Sequence, residues 1–167
     1  SAHVIPTISG YQPLVPYFAR VRIWDNYGRS SEWSGTADFL FALPEGYRWK
    51  ARFVSAESAV QAESSAGTYI RKEFTLKDKV NRAWAMVSAL GLYEFYLNGG
   101  KVGDAELTPG WTAYEKQLLY QTWDVTDRLR PGKNAAAAVI GAGWYKGRIG
   151  ESGRCLYGEQ TAFFMEL

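Results

Sequence analysis

From Tyr69 onward the chain alternates apolar and polar positions in short runs separated by turn formers. "YIRKEFTL" sets Ile70 and Phe74 among charges, and "LYEFYLNG" repeats the alternation. Both predict strands with one face buried, whereas the nearly unbroken apolar run "AWAMVSAL" predicts a strand buried on both faces. "KVGD", "LLYQTWDV", "AAAAVIGAGW" and "TAFFMEL" continue the series. "VTDRLRPGKN" predicts a single helical turn, with Thr126 placed to cap it and Pro131-Gly132 to end it. Many short strands with Gly- and Pro-rich turns predict an all-β fold, a jelly roll or similar sandwich over residues 67–167.

Ahead of this series, "YFARVRIWDNYGRSSEWSGTADFLFAL" predicts two strands around Phe18, Val21, Ile23 and around Phe39, Phe41. They are joined by a connection rich in turn formers. Residues 1–43 fall short of the ~100 that an immunoglobulin or fibronectin sandwich needs. The expectation is therefore a partial fibronectin-III/Ig-like sandwich, with the chain starting inside a domain and carrying no information about a leader. The strand that ends at Leu167 has no closing partner in the pattern, which gives the same expectation at the other end. Residues 44–66 are expected as a linker or irregular edge, with "SAESAVQAESSAG" a surface loop.

Strand direction can be followed through the second segment. If "AWAMVSA" runs up to Gly91, "LYEFYLNG" runs down to Asn98-Gly99, a dipeptide suited to a hairpin whose central residues need positive φ. "KVGD" returns upward, "LLYQTWDV" descends, "TDRLRPGKN" turns at the bottom, and "AAAAVIG" rises again. Two long loops, "AELTPGWTAYEK" and "AGWYKGRIGESGR", are thereby brought to one end beside Gly91. That rim collects Asp104, Glu106, Trp111, Tyr114, Trp144, Tyr145, Lys146, Arg148 and Glu151.

Composition sharpens this picture at one point. Aromatic residues make up 16% of the chain, with 7 Trp and 11 Tyr, and those on loops rather than strands matter. A pyranose is held by an aromatic platform under its apolar face with a few polar groups fixing its hydroxyls. Asp104, Trp111, Tyr114, Trp144, Tyr145, Arg148 and Glu151 are the candidate carbohydrate-binding residues. Trp111 and Trp144 could equally plug the open end of the sandwich.

Other chemistries find less support. A net charge of +2 gives no electrostatic case for nucleic acid or an anionic membrane. No apolar run approaches the ~20 residues of a membrane-spanning helix. One cysteine, Cys155, and one histidine, His3, exclude an intrachain disulfide framework and make His-based metal or triad chemistry a poor fit. Glu94 with Asp104, or Asp124 with Asp127, could be drawn as a glycosidase acid–base pair, but such charges usually mark solvated strand faces. "GAGWYKG" lacks the strand–helix context of a dinucleotide site, and its glycines are expected to let a loop turn around Trp144. Asp side chains and backbone carbonyls on the rim could hold Ca²⁺, though no EF-hand spacing is present. No cofactor is required.

Taken together, several motifs resemble one family. "YFARVRIWDNYGRSSEWS" resembles the last strands of the fibronectin-III-like domain that opens bacterial α-L-rhamnosidases. "IRKEFTL", "ALGLYEFYLNGGKVGD", "LTPGWTAYEKQLLYQTWDVTD" and "VIGAGWYKGRIG" resemble, in order, pieces of their N-terminal β-sandwich domain. A sugar-binding sandwich of β-galactosidase-like enzymes is the nearest other family, and the Trp-Tyr-Lys-Gly-Arg segment favours the rhamnosidases. The resemblance implies a parent enzyme that removes terminal α-L-rhamnose by inversion, with its carboxylates in an (α/α)6 barrel that these residues do not include. It implies no catalytic residue here, and partners that are a rhamnose-containing glycan and an intramolecular catalytic domain. In some relatives the sandwich is a calcium-dependent rhamnose-binding module; a spacer that positions the barrel is the other implied role. The family often carries an acid within Gly-x-Gly-Trp, where this sequence has Ala142. The compartment stays open, with a secreted or periplasmic location slightly favoured.

Overall fold

A computed structural model describes residues 9–56 and 67–167. Most of the expected surface loop, residues 57–66, lies outside the described residues. The chain divides into two compact units, Ser1–Arg48 and Trp49–Leu167.

The first unit is a hairpin of β1 (Pro16–Ala19) and β2 (Ala37–Leu40), paired antiparallel with Pro16 opposite Leu40. Beyond β1 the two arms stay together through serines as well as backbone. Ser34 N–H donates to Val21 O, and Val21 N–H donates to Ser34 Oγ at 3.0 Å; Ser31 and Ile23 repeat the exchange. Trp33, between these serines in sequence, meets cations from the facing arm. There the Arg22 guanidinium lies 4.8 Å from both the Trp24 and the Trp33 ring centres, with Arg20 5.5 Å from Trp33. Asp25 closes the tip. Its carboxylate accepts from the backbone N–H of Tyr27 and Arg29 and from Arg29 Nε, and these bonds, Arg29 N–H foremost, hold its pKa below the usual value. Tyr11, Tyr17, Phe39 and Phe41 stack into an aromatic cluster within this unit.

The second unit is a two-layer sandwich. One sheet has the order β3 (Thr68–Leu76), β8 (Gly132–Gly141), β5 (Leu92–Leu97), β6 (Gly100–Lys101); the other has β7 (Gln121–Asp124), β4 (Trp84–Leu90), β9 (Ala162–Glu166). All pairings are antiparallel. Successive strands β4 and β5 lie in different sheets, and Gly91 alone carries the chain across at φ 129°. A Cβ there would run into the Gly141 carbonyl.

Period-two burial decides the core. Tyr93, Phe95 and Leu97 of β5 and Ala136, Ala138 and Ile140 of β8 point inward, against Ala85, Val87, Ala89 and Phe163 of the opposite sheet. Fully burying Phe95, Leu97, Val87 or Ile140 contributes about 1.5–3 kcal/mol each. Strand β4 is buried on both faces, as its apolar run predicts. Its outer face is covered by Phe164, against which Trp49 packs edge-on and Phe53 at a tilt, with Tyr120 edge-on to Trp49. Residues 49–56 thus belong to this unit, and Val54 bridges Phe163 at the edge of β9.

Both ends of the traced strands fall where direction placed them. Asn98 and Gly99 take positive φ, 50° and 86°. Asn98 Nδ2 donates to Arg128 O and to Asn134 Oδ1, and Ala135 N–H donates to Asn98 Oδ1, so this hairpin meets the 126–134 turn. The turn itself is a single 3₁₀ turn, Thr126–Arg128, without a side-chain cap. Thr126 Oγ1 accepts from Ala83 N–H instead, so the expected cap is a tertiary clamp. "LLYQTWDV" is strand only over Gln121–Asp124, because Leu119 gives its carbonyl to the Ser88 hydroxyl.

Candidate functional site

The rim opposite the Asn98 turn is built from β-strand ends around Gly91. Tyr93, two residues into β5, exchanges hydrogen bonds with Thr108: its N–H donates to Thr108 O and its carbonyl accepts from Thr108 Oγ1, both at 2.9 Å. The Thr108–Pro109 peptide is cis. Gln121 donates through Nε2 to Pro109 O and accepts from the Tyr93 hydroxyl at 2.8 Å. Burial raises the Tyr93 pKa, keeping that hydroxyl a donor. The loop that carries Trp111 and Tyr114 is therefore anchored to both sheets.

The second loop leaves β8 at Gly141 and forms one helical turn, α1 (Gly143–Lys146), rather than an irregular loop. Gly143, at φ 52°, lies so close to Leu92 that a side chain would collide with it. The chain then doubles back. Arg148 bridges Arg154, Cys155 N–H donates to Lys146 O, and Tyr157 N–H donates to Tyr145 O. Arg148 and Glu151 occupy this exposed excursion, with Glu151 in the 3₁₀ turn at its tip, Gly150–Ser152. Lys146 is 4% exposed and is part of the packing, not a surface handle.

Four candidate aromatics come together. The Trp111 and Trp144 rings are stacked, 6.0 Å between centres and 5° from parallel. Tyr114 meets Tyr145 edge-on at 5.3 Å and Tyr157 at 4.9 Å. Trp111 Nε1 donates to the Tyr157 hydroxyl at 3.4 Å, and Tyr114 donates to Gly110 O at 3.2 Å. Desolvation, with the Tyr157 hydroxyl beside it, raises the Tyr114 pKa. Trp111 stays 52% exposed, so one face of the stack is open to solvent.

The acids are placed differently. Glu106 pairs with Lys101 at 3.2 Å, and Lys101 pairs with Glu94 at 2.9 Å on the outer face of β5. Glu94 also accepts from the Tyr96 hydroxyl; that bond, and then Lys101, lowers its pKa. Asp104 is exposed at the start of the same loop. Asp124 accepts from Thr126 N–H and belongs to the opposite end. Among the described residues no group of three or more His, Cys, Asp or Glu gathers.

Sequence reasoning missed Leu90, Glu115, Leu156, Tyr157, Glu159 and Gln160. Tyr114 and Tyr145, with Leu90, Glu115, Leu156 and Tyr157, line a cleft of about 540 Å³. Tyr145 and Leu90 also line a second cleft of about 600 Å³ with Phe53, Ser55, Glu159 and Gln160. Gly158, directly after Tyr157, packs so tightly on the Tyr145 ring that a Cβ would overlap it.

Residues 78–167 match the family model for the α-L-rhamnosidase N-terminal domain. An α-L-rhamnosidase of Streptomyces avermitilis is 50% identical over 105 residues, 62% of this chain and 10% of that protein. The crystal structure of a native α-L-rhamnosidase from Aspergillus terreus superposes with a TM-score of 0.85 at 32% identity, over 95% of this chain and 19% of that one. The structure of the Streptomyces avermitilis α-L-rhamnosidase complexed with L-rhamnose superposes at 0.60 and 34% identity, over 87% of this chain and 16% of that one. The chain thus spans less than a fifth of the relatives it matches.

Proposed function

Because the chain belongs to the α-L-rhamnosidase N-terminal domain family, we propose that it forms the non-catalytic N-terminal part of a glycoside hydrolase acting on terminal α-L-rhamnosides. Its aromatic rim is a carbohydrate-binding surface for rhamnose-containing glycans. In this reading residues 1–43 end a fibronectin-III-like domain and residues 67–167 belong to a jelly-roll domain. The observation that carries the binding role is the Trp111–Trp144 stack beside the Tyr114–Tyr145–Tyr157 cluster, open to solvent at Trp111. L-Rhamnose lacks the 6-hydroxyl, so its methyl group and C–H edges give an apolar face that an indole can cover. No acid–base pair for glycoside cleavage is assigned within the chain: Glu94 is committed to Lys101 and Tyr96, and Asp124 to the 126 turn.

Calorimetric titration of the 167-residue chain with methyl α-L-rhamnoside tests the binding role. Saturable heat that Trp144→Ala removes or weakens supports it; no heat up to millimolar glycoside overturns it. A chromogenic rhamnoside should show no turnover with this chain.

A second reading, a spacer that packs on the catalytic barrel, draws on the outer face of the β7–β4–β9 sheet, which adjoins the rim at Phe53. Trp49, Phe53 and Leu119 are 38%, 42% and 39% exposed on or beside the outer face of the β7–β4–β9 sheet, an apolar surface suited to a neighbouring domain.

A further inference from the structure

We infer that the rim is a two-compartment groove, divided by Tyr145, that takes at least two consecutive neutral sugar residues rather than one terminal monosaccharide. The inference rests on the carbohydrate-binding reading above and adds the length and charge of the ligand. The two clefts share Leu90 and Tyr145 in their linings, so they adjoin at these residues. Each lies within the roughly 300–1,000 Å³ of small-molecule sites, with room for one pyranose ring.

The compartments repeat one chemistry. The first sets Tyr114 and Tyr157 against Glu115; the second sets Phe53 against Glu159, Gln160 and Ser55. Each therefore offers an apolar ring face and at least one carboxylate able to accept from vicinal hydroxyls. Ser55 donates to Thr161 O at 2.6 Å, which fixes the wall of the second compartment to the start of β9. Glu115, Glu159 and Gln160 are exposed and have room to engage a ligand.

Charge narrows the ligand. Among the described residues neither cleft is lined by Lys or Arg, and each carries a carboxylate. A uronic acid in either compartment would put its carboxylate beside Glu115 or Glu159 without a counter-cation, which disfavours it. The terminal rhamnose then occupies the Tyr114–Tyr157 compartment, next to the Trp111 indole that donates to Tyr157. The penultimate neutral sugar crosses Tyr145 to lie over Phe53.

The test titrates the 167-residue chain with methyl α-L-rhamnoside, a neutral rhamnosyl disaccharide and a rhamnosyl-glucuronic acid disaccharide, at fixed ionic strength. The expected result is a neutral disaccharide about tenfold tighter than the methyl glycoside, and the uronate no tighter than the methyl glycoside. Glu159→Gln combined with Gln160→Ala should lower disaccharide affinity by more than it lowers methyl glycoside affinity. Both positions are exposed, so thermal melting can establish that the variant is folded before titration. Equal affinities for the methyl glycoside and the neutral disaccharide would overturn the second compartment while leaving the carbohydrate reading intact. A uronate that binds as tightly as the neutral disaccharide would overturn the charge selection. Binding of none of the three would remove both.

Discussion

The indoles of Trp111 and Trp144, contributed by loops 33 residues apart in sequence, lie within 5° of parallel with ring centres 6.0 Å apart. Each ring restrains the other, and Trp111 is further held by its bond to Tyr157. Trp144→Ala should weaken glycoside binding by about 1 kcal/mol, roughly fivefold in Kd. Trp111→Ala should do the same. The double variant should lose less than the sum, because each single change already releases its partner. Strictly additive losses in calorimetry would show that the two rings act independently.

Gly91→Ala adds a Cβ at φ 129° against the Gly141 carbonyl. The cost is expected to be about 2 kcal/mol or more, since neither the left-handed backbone nor a main-chain oxygen can yield cheaply. Urea unfolding of the variant, followed by Trp fluorescence, should show the midpoint falling. An unchanged midpoint would mean that the crossover is more pliable than its geometry indicates.

Asn134 is 2% exposed and fully used: it accepts from Asn98 Nδ2 and Arg130 N–H and donates to the carbonyls of Arg130 and Gly132. Asn134→Leu strands these groups and is expected to destabilise by about 2–3 kcal/mol. Asn98→Ala should cost less, since part of the network survives. Chemical denaturation of both variants ranks them, and the reverse order would contradict the placement.

Glu94 predicts a pH dependence. Its carboxyl pKa is depressed in the folded protein by the Tyr96 hydroxyl and by Lys101, so its contribution is present above the unfolded carboxylate pKa and is lost as pH falls through the lower folded value. The Lys101–Glu94 pair is partly exposed, at 33% and 44%, so solvent screening limits its worth to that of a surface ion pair. The stability difference between the native chain and Glu94→Gln should therefore be small near neutrality. It should close in acid below the usual carboxylate range. A difference that grows on acidification would reverse the sign and exclude this account.

Arg22 tests the first unit. A lysine cannot keep a planar cation between two indoles, so Arg22→Lys should alter the near-ultraviolet dichroism that Trp24 and Trp33 contribute. The expected cost is about 1 kcal/mol. An unchanged spectrum would mean that the stack contributes no fixed geometry.

Strand direction was readable because two local signals, the single Gly91 and the dipeptide Asn98-Gly99, each demand a backbone that few residues adopt. Once they are fixed, the ends at which the loops emerge follow. Pairing was harder to read. β8 lies between β3 and β5 although it is distant from both in sequence, and no local pattern in "AAAAVIG" announces its neighbours. The tertiary use of Thr126 was hidden for a related reason: a threonine before a turn looks like a cap until Ala83 is brought beside it. Among site residues, Trp111, Tyr114, Trp144 and Tyr145 stood out as aromatics on loops. Glu115, Glu159 and Gln160 did not, because polar loop residues carry no signature of which cleft they face. Likewise Trp49 and Phe53 read as linker, since the sheet face they cover is assembled from remote strands.

Gly91 gives the rim a fixed point with one loop on either flank. The loops carrying Trp111 and Trp144 depart from strands that are already locked on either side of it, through Thr108 and Tyr93 on one flank and through Gly141 and Gly143 on the other. Their lengths can change without disturbing the layer crossing. Because the loops meet through the Trp111–Trp144 and Tyr114–Tyr145 contacts, they should transfer to a relative's frame only as a pair, with the strands serving as their socket.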